Sequence, residues 1–193
     1  MAKRVFIVHR WEGKPESDWY PWLKDELVNK GFQVEVPAMP NSDEPQIEEW
    51  VPFLEEKVGD VDQDTYFIGH SVGCQTIMRF LQNLPPGSKI GGAIFVAGWI
   101  HLTSEVTDDE EEYQVAKPWL DRPIIWEDVS NKTDKFIALF SDTDPYVPIG
   151  DAKLFEEKLG AKIIFESRKG HFTEVENVRD LKIVLNELLD MSN

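Results

Sequence analysis

Residues 65–80 constrain the fold of this chain more than any other stretch. A short apolar run, Tyr66-Phe67-Ile68, meets the turn sequence Gly69-His70-Ser71-Val72-Gly73, and apolar positions at helical spacing follow immediately. This pattern predicts a strand, a sharp turn with a serine at its apex, and a helix. The two glycines favour such a turn because a strained strand-to-helix connection leaves almost no room for side chains beside the apex.

Apolar runs and helical patterns alternate along the rest of the chain. Strands are predicted at residues 3–8, 32–36, 66–68, 92–97, 136–140 and 162–165. Helices are predicted at about 19–30, 47–58, 74–83, 124–129, 149–159 and 177–191. Because each strand is almost continuously apolar, we expect a parallel sheet that is covered on both faces.

The predicted fold class is therefore α/β, with three α/β/α layers around an open, six-stranded, mainly parallel sheet in the order 2-1-3-4-5-6. Residues 1–193 are expected to form one domain, because this length suffices to bury a core. In such a sheet, ligands bind beyond the carboxyl ends of the strands. This strand order places the loop from His9 to Gly13 beside Ser71.

Several boundaries are predicted from local signals. Ser17 or Asp18 is a candidate cap for the first helix, and Pro52 is expected to bend or interrupt the second. Residues 98–123 lose the periodic pattern, and we interpret them as an excursion and a candidate lid. Their acidic run, 108–112, is predicted to be a solvated loop. It lacks the spaced oxygens and turn glycine of a calcium loop, so we expect no metal.

Charge and cysteine content limit the partners and the compartment. Asp and Glu number 36 against 20 Lys and Arg, which gives a formal net charge of −16. This excess repels phosphate backbones and anionic bilayers, so neither nucleic acid nor a membrane is an expected partner, while a protein partner leaves no readable mark. Cys74 is the only cysteine, and the apolar run at 5–8 is too short for a signal peptide. We therefore expect a cytoplasmic protein.

Ser71 is a candidate nucleophile, since the helix behind it offers backbone N–H groups and a positive dipole end to a developing oxyanion. A serine nucleophile needs a base and an orienting carboxylate, which in this architecture follow it in the order acid, then histidine. Only His171 follows the fifth strand. Two acids precede it: Asp142, directly after the strand, and Asp144, which the following proline holds extended. The residues alone favour Asp144 only modestly.

Three motifs together resemble the α/β-hydrolase superfamily: Gly69-His-Ser-Val-Gly73, the Asp-x-x-Val-Pro pattern of 144–148, and Gly170-His-Phe172. The sequence Asp-Trp-Tyr-Pro-Trp-Leu at 18–23, the Met-Pro pair at 39–40 and the Arg-Pro pair at 122–123 narrow the resemblance. They are similar to small serine hydrolases related to retinoblastoma-binding protein nine and the bacterial YdeN-like proteins. The resemblance covers essentially the whole chain. It implies a triad of Ser71, Asp144 and His171 and no large cap domain.

One departure concerns the oxyanion hole. Many α/β-hydrolases carry His-Gly after the corresponding first strand, whereas this chain has His9-Arg10-Trp11. The oxyanion would bind the N–H of Val72 and a second N–H from Arg10 or Trp11; the resemblance favours Trp11. The Arg10 side chain is expected either to crowd the site or to bind a substrate carboxylate.

The leading hypothesis is hydrolysis of an ester or related acyl bond of a small substrate, without a cofactor; peptidase and thioesterase activities also fit the resemblance. The alternative is a catalytically weak or inactive hydrolase-fold protein that serves as a protein-binding module. Trp99, Ile100, Trp119 and Trp126 are candidates for an apolar acyl pocket, although aromatic residues at such spacings more often belong to the core.

Overall fold

The structure, a computed structural model, describes residues 2–193. The strands are β1 (Arg4–Val8), β2 (Gln33–Glu35), β3 (Thr65–His70), β4 (Gly92–Val96), β5 (Phe136–Ser141) and β6 (Lys162–Glu166). The helices are α1 (Tyr20–Asn29), α2 (Ile47–Val58), α3 (Val72–Asn83), α4 (Ser104–Thr107), α5 (Glu110–Asp121), α6 (Trp126–Ser130), α7 (Asp151–Leu159) and α8 (Lys182–Met191). A 3-10 helix, Glu174–Glu176, precedes α8.

The six strands form one parallel sheet in the order β2-β1-β3-β4-β5-β6, which confirms the predicted topology. Almost every residue of the four central strands is buried, as their apolar runs predict, and the edge strands are partly exposed. Helix α1 packs against α8, whereas α2, α3, α6 and α7 contact one another in series. Helices thus cover both faces, and no large cap domain is inserted within residues 2–193.

The central strands end at one level. Val8 of β1 pairs with Gly69 of β3, and His70 pairs with Val96 of β4. The loops that follow β1 and β3 therefore lie side by side at the carboxyl edge of the sheet, as predicted for the His9 loop and Ser71.

One predicted helix cap and one predicted helix start are wrong. Asp18 does not cap α1; its backbone has a φ of 54°, and its carboxylate accepts a hydrogen bond from the Arg10 guanidinium instead. The last helix begins at Lys182 rather than near 177. Asn177 adopts a φ of 63° and ends the 3-10 helix, so the chain must turn before α8 can start.

The excursion at 98–123 contains two helices rather than a loop. Asp109 accepts hydrogen bonds from the N–H groups of Glu111 and Glu112, both at 3.0 Å, and so caps α5. The acidic run is exposed, as expected, but it forms a helix N-terminus, where negative charge is favourable. Pro52 was expected to bend or interrupt the second helix. It lies inside α2, and the helix continues without interruption from Ile47 to Val58.

A buried arginine of α3 holds the end of this excursion against the helix. Arg79 of α3 donates from Nη2 to the carbonyl oxygens of Trp119 and Arg122, at 2.8 and 2.7 Å. Burial, followed by repulsion from Arg122, lowers the pKa of Arg79 to about 10. No helix within residues 2–193 is both long enough and apolar enough to span a bilayer.

Candidate active site

Ser71 occupies a strained turn between β3 and α3. Its backbone has φ 55° and ψ −120°, a conformation that residues other than glycine rarely adopt. The Ser71 N–H donates to the Val96 carbonyl at 2.9 Å, and the Ser71 carbonyl accepts from the Cys74 N–H at 2.9 Å. These bonds to the neighbouring strand and to the first turn of α3 hold the serine at the apex.

The flanking glycines are required by close packing. A Cβ on Gly73 would lie 2.2 Å from the carbonyl oxygen of Val8, and one on Gly69 would lie 2.8 Å from the backbone nitrogen of Cys74. Both obstacles are backbone atoms and cannot rotate away. The first turn of α3 therefore rests directly on the end of β1, which brings the loop after β1 against Ser71.

Asp144 is the acid that contacts the histidine. Its Oδ2 accepts a hydrogen bond from His171 Nδ1 at 2.9 Å, and its Oδ1 accepts from the N–H groups of Tyr146 and Val147 at 2.9 and 3.1 Å. The Asp144 and His171 side chains are only 2% and 7% exposed. Because a carboxylate can only accept when ionised, Nδ1 carries the imidazole proton and Nε2 presents a lone pair.

Asp142 has a different set of partners. Its carboxylate accepts from the Arg168 N–H at 2.7 Å and from the Ser167 hydroxyl at 2.8 Å. These two bonds, the backbone bond first, lower the pKa of this exposed carboxyl. The side chain thus joins two loops at the surface and does not reach the histidine.

Ser71 and His171 line the same cavity, which has a volume of about 350 Å³. Positive φ values at Gly170 (52°) and Phe172 (58°) bend the chain sharply on either side of the histidine and turn it toward this space. The imidazole stacks edge-on with Tyr146, with 5.1 Å between ring centroids. Among residues 2–193 no hydrogen bond joins the serine hydroxyl to the imidazole; in free enzymes such contacts often tighten only when substrate binds.

The two candidate donors after β1 differ in their partners. The Arg10 N–H donates to the Tyr20 hydroxyl at 3.1 Å and is therefore already engaged. In the described chain the N–H groups of Trp11 and Val72 make no hydrogen bond, and both residues line the cavity. Of the two candidates, Trp11 is therefore the one whose N–H is unengaged.

The Arg10 side chain is held by residues that follow it in the sequence. Its Nε donates to Asp18 Oδ2 at 2.8 Å, and its Nη1 donates to the Trp11 carbonyl at 2.9 Å. The guanidinium borders the cavity, but the buried Asp18 carboxylate neutralises its charge. Arg10 therefore braces its own loop.

Only one of the four aromatic and aliphatic pocket candidates lines the cavity, namely Trp99. The other three pack elsewhere, so their placement in the pocket is wrong. Trp119 is buried within α5 and donates its indole N–H to the Pro45 carbonyl, Trp126 packs edge-on against Phe155, and Ile100 donates its backbone N–H to a carboxylate of α7. For each, packing outweighs ligand contact, the commoner outcome for large apolar residues.

Several cavity residues were missed from the sequence. The apolar wall includes Leu102 and Val106 from the excursion and Val175 from the 3-10 helix, and the rim includes carboxylates of Glu12, Glu112 and Glu176. These residues belong to three distant segments without a shared motif, so only the fold brings them together.

The acidic rim is electrostatically strained at Glu112. Burial raises the pKa of this carboxyl, and repulsion from Asp109, Glu12 and Glu105 raises it further. Like charges that meet beside a cavity favour neutral or cationic molecules over anionic ones. Within residues 2–193 no cluster of three or more His, Cys, Asp or Glu side chains is placed to hold a metal ion.

A parallel sheet of this order, with a serine at the β3–α3 turn and a hydrogen-bonded acid and histidine beyond β5 and β6, defines an α/β-hydrolase. The sequence profile of the serine hydrolase family matches residues 5–189. The chain belongs to this family, and its membership supports hydrolase activity.

Individual relatives agree with this assignment. The putative hydrolase YdeN of Bacillus subtilis (strain 168) is 30% identical over 194 residues, which cover 97% of this chain and 95% of YdeN. Serine hydrolase RBBP9 of Rattus norvegicus is 28% identical over 171 residues, which cover 88% of this chain and 86% of RBBP9.

Solved structures agree at the level of the fold. The crystal structure of the ydeN gene product from B. subtilis has a TM-score of 0.90 at 27% identity and covers 98% of both chains. Est1E from Butyrivibrio proteoclasticus with ferulic acid bound has a TM-score of 0.69 at 15% identity, covering 97% of this chain and 90% of Est1E. The latter similarity shows the fold alone.

Proposed function

We propose that this protein hydrolyses an ester or related acyl bond of a small substrate, with Ser71, His171 and Asp144 as its catalytic triad. The observation that carries the proposal is the hydrogen bond between Asp144 and His171 Nδ1, in a loop that lines the same cavity as Ser71. This bond leaves His171 Nε2 as the proton acceptor on the side of the ring away from the acid.

The chemistry follows the usual two stages. The Ser71 oxygen attacks the acyl carbon while His171 Nε2 takes the hydroxyl proton, and the N–H groups of Trp11 and Val72 bind the oxyanion. His171 then gives this proton to the leaving group, and an acyl-enzyme remains. Water attacks the acyl carbon, His171 takes the water proton, and Ser71 recovers its proton as the acid product leaves. Asp144 stays ionised and stabilises the imidazolium throughout.

The cavity suggests the size and charge of the substrate. A volume of about 350 Å³ fits a small molecule rather than a folded chain, and Trp99, Leu102 and Val106 offer an apolar surface for the acyl or leaving group. The carboxylates of Glu12 and Glu112 disfavour anionic substrates. We therefore propose neutral or cationic esters of small, apolar acids as the preferred class.

A fluorophosphonate probe tests the proposal, because it forms a stable bond only with an activated serine. Wild-type protein should be labelled, and Ser71→Ala should not. Cys74→Ser, in the same helix but buried behind the turn, is the matched control and should be labelled like wild type. A folded wild-type sample that resists the probe would instead favour the binding-module alternative.

A panel of esters, thioesters and peptide amides with the same acyl group would then separate the possible activities. The proposal expects a higher kcat/KM for the ester than for the matched amide, since an alcohol leaving group needs less assistance than an amine. Faster turnover of the amide than of the matched ester would assign a peptidase instead.

A further inference from the structure

Between the two loops that carry the oxyanion donor and the base lies the segment Asp18–Tyr20. Asp18 is buried and has a left-handed backbone (φ 54°). Its Oδ2 accepts from Arg10 Nε at 2.8 Å, and its Oδ1 accepts from the Glu174 N–H at 2.9 Å. One carboxylate therefore bridges the loop after β1 and the loop after His171.

A second bridge runs in parallel through Tyr20 and His70. The Arg10 N–H donates to the Tyr20 hydroxyl at 3.1 Å, the Tyr20 hydroxyl bonds to His70 Nδ1 at 2.6 Å, and His70 Nε2 bonds to the His171 carbonyl at 2.7 Å. Tyr20 and His70 are both fully buried. This chain therefore links the same two loops through the interior, independently of Asp18.

The direction of each bond in the second bridge is fixed. A carbonyl oxygen only accepts, so His70 carries its proton on Nε2, and its Nδ1 must accept from the Tyr20 hydroxyl. Burial, and next the nearby His171, hold the pKa of His70 well below its usual value, so the ring is neutral. Burial also raises the pKa of Tyr20 well above its usual value, so the hydroxyl keeps its proton.

The bridges hold the two groups that the proposed reaction uses around Ser71, namely the oxyanion donor at Trp11 and the base at His171. Because Tyr20 engages the Arg10 N–H, the N–H of Trp11, a residue that lines the cavity, is the one left without a partner in the described chain. Because His70 holds the His171 carbonyl, the base cannot shift along the cavity without breaking a buried hydrogen bond. An unpaired buried donor or acceptor is costly, so the loops are held in one arrangement.

We propose that Tyr20 and His70, together with Asp18, are positioning residues that hold the oxyanion loop and the base loop in register for the reaction. The inference rests on the proposed function. None of the three residues is expected to touch the substrate, so they should influence kcat far more than KM.

The test uses Tyr20→Phe, which removes one oxygen atom and keeps the ring. The expected result is a fall in kcat of about 10- to 100-fold, the size associated with a misplacement of about 1 Å, and a change in KM of less than about threefold. Tyr66→Phe is the matched control. Tyr66 is a mostly buried tyrosine on β3, in the register pair with Val5, at the other end of the strand from the serine, and it should leave both constants unchanged.

A purely structural role is separated by counting active sites. Rates are expressed per serine labelled by fluorophosphonate in the same sample, so a partly unfolded variant is not scored as a slow enzyme. Inhibition by a boronic acid that mimics the tetrahedral intermediate should weaken in proportion to kcat/KM, whereas inhibition by the carboxylic acid product should not change.

His70→Gln provides the second variant, in case Tyr20→Phe fails to fold. A glutamine amide can still donate to the His171 carbonyl but offers no ring nitrogen to Tyr20. We expect the kcat of His70→Gln to lie between that of wild type and that of Tyr20→Phe. If Tyr20→Phe does not fold, the kcat of His70→Gln alone tests the inference.

Two results would overturn the inference: wild-type kcat per labelled site in the folded variants, or a boronate affinity that stays at the wild-type level while kcat falls. The proposed function fails separately, if wild-type protein is not labelled at Ser71. If wild-type protein is labelled at Ser71 and the positioning variants keep wild-type kcat, the role of the bridges is rejected while the proposed hydrolase activity stands.

Discussion

Replacing Asp144 with asparagine changes the charge of one group and almost none of its shape. The carboxylate makes three hydrogen bonds, to the N–H groups of Tyr146 and Val147 through Oδ1 and to His171 Nδ1 through Oδ2. An asparagine oxygen can keep both backbone bonds, which places its NH₂ group against the imidazole. Since an NH₂ group only donates, Nδ1 must become an acceptor and the ring proton must move to Nε2.

This change of tautomer removes the lone pair that accepts the Ser71 proton. In Ser-His-Asp triads the same change lowers kcat by about 10⁴, which corresponds to about 5 kcal/mol of transition-state stabilisation. The fold should survive, because the two N–H groups of the turn keep their acceptor. Asp144→Ala would instead leave the N–H of the buried Val147 without an acceptor, at a further cost of about 1–3 kcal/mol in folding stability.

Asp142→Asn is the matched control, since it lies two residues away in the same loop and its carboxylate bonds only to Ser167 and Arg168. We expect its kcat to stay within a factor of about three of wild type. Turnover of a chromogenic ester is measured at equal concentrations of folded protein, which thermal unfolding verifies. A kcat for Asp144→Asn within tenfold of wild type, or a severe loss in Asp142→Asn, would refute the assignment of the acid.

Three further predictions concern the turn, the buried histidines and the rim. Gly73→Ala should lower the unfolding temperature and the activity, at a cost of about 1–3 kcal/mol or more, because its Cβ would lie 2.2 Å from a backbone oxygen of β1. Gly150→Ala, with open space at its Cβ, should be neutral; equal unfolding temperatures for the two variants would contradict the packing explanation. Burial lowers the pKa of His9 and of His70, so the unfolded chain binds more protons than the folded one below about pH 6.5, and stability present above that pH is lost on acidification. The slope cannot exceed about 2.7 kcal/mol per pH unit for two histidines, and denaturant midpoints that stay constant from pH 7 to pH 5.5 would count against the prediction. Glu112→Gln should lower the ratio of kcat/KM for a cationic ester to that for its anionic counterpart by roughly threefold at low salt, and the difference should shrink at about 0.5 M salt. A ratio that does not change would show that the rim carboxylate does not influence selection.

The strand order could be predicted from the sequence because the buried strands are short apolar runs separated by helical patterns. Right-handed crossovers and the turn at Ser71 then leave few arrangements. The same reasoning placed the loop after β1 beside the serine, and the pairing of Val8 with Gly69 confirms that placement.

The sequence was misleading where a polar residue had two possible partners. Asp18 is a residue type that often caps helices, but the half-buried Arg10 guanidinium eight residues earlier binds its carboxylate instead. For Asp142 and Asp144 the residues alone favoured Asp144 only modestly, because the histidine that decides between them lies 27 residues further along the chain.

The pocket was the least predictable part of the site. Tryptophan is common both in cavity walls and in protein cores, so the location of the tryptophans in the excursion depends on how the excursion packs. Arg79 settles this packing by holding the carbonyl oxygens of Trp119 and Arg122, a contact without any sequence signal. The true lining residues, such as Leu102 and Val175, are unremarkable in composition.

The arginine that departs from the usual His-Gly sequence acquires a physical explanation from its contacts. A glycine at this place would leave the Asp18 carboxylate buried without its charged partner, which is strongly destabilising. Arg10 supplies that partner through its side chain and gives its N–H to Tyr20, and the Trp11 carbonyl accepts from its other nitrogen. The departure and the Asp18–Tyr20 segment therefore form one unit: the side chain that threatened to crowd the oxyanion site is bound by the segment that follows it. The same unit reaches the His171 loop through Glu174, so a change at Arg10 should act on the base as well as on the oxyanion donor.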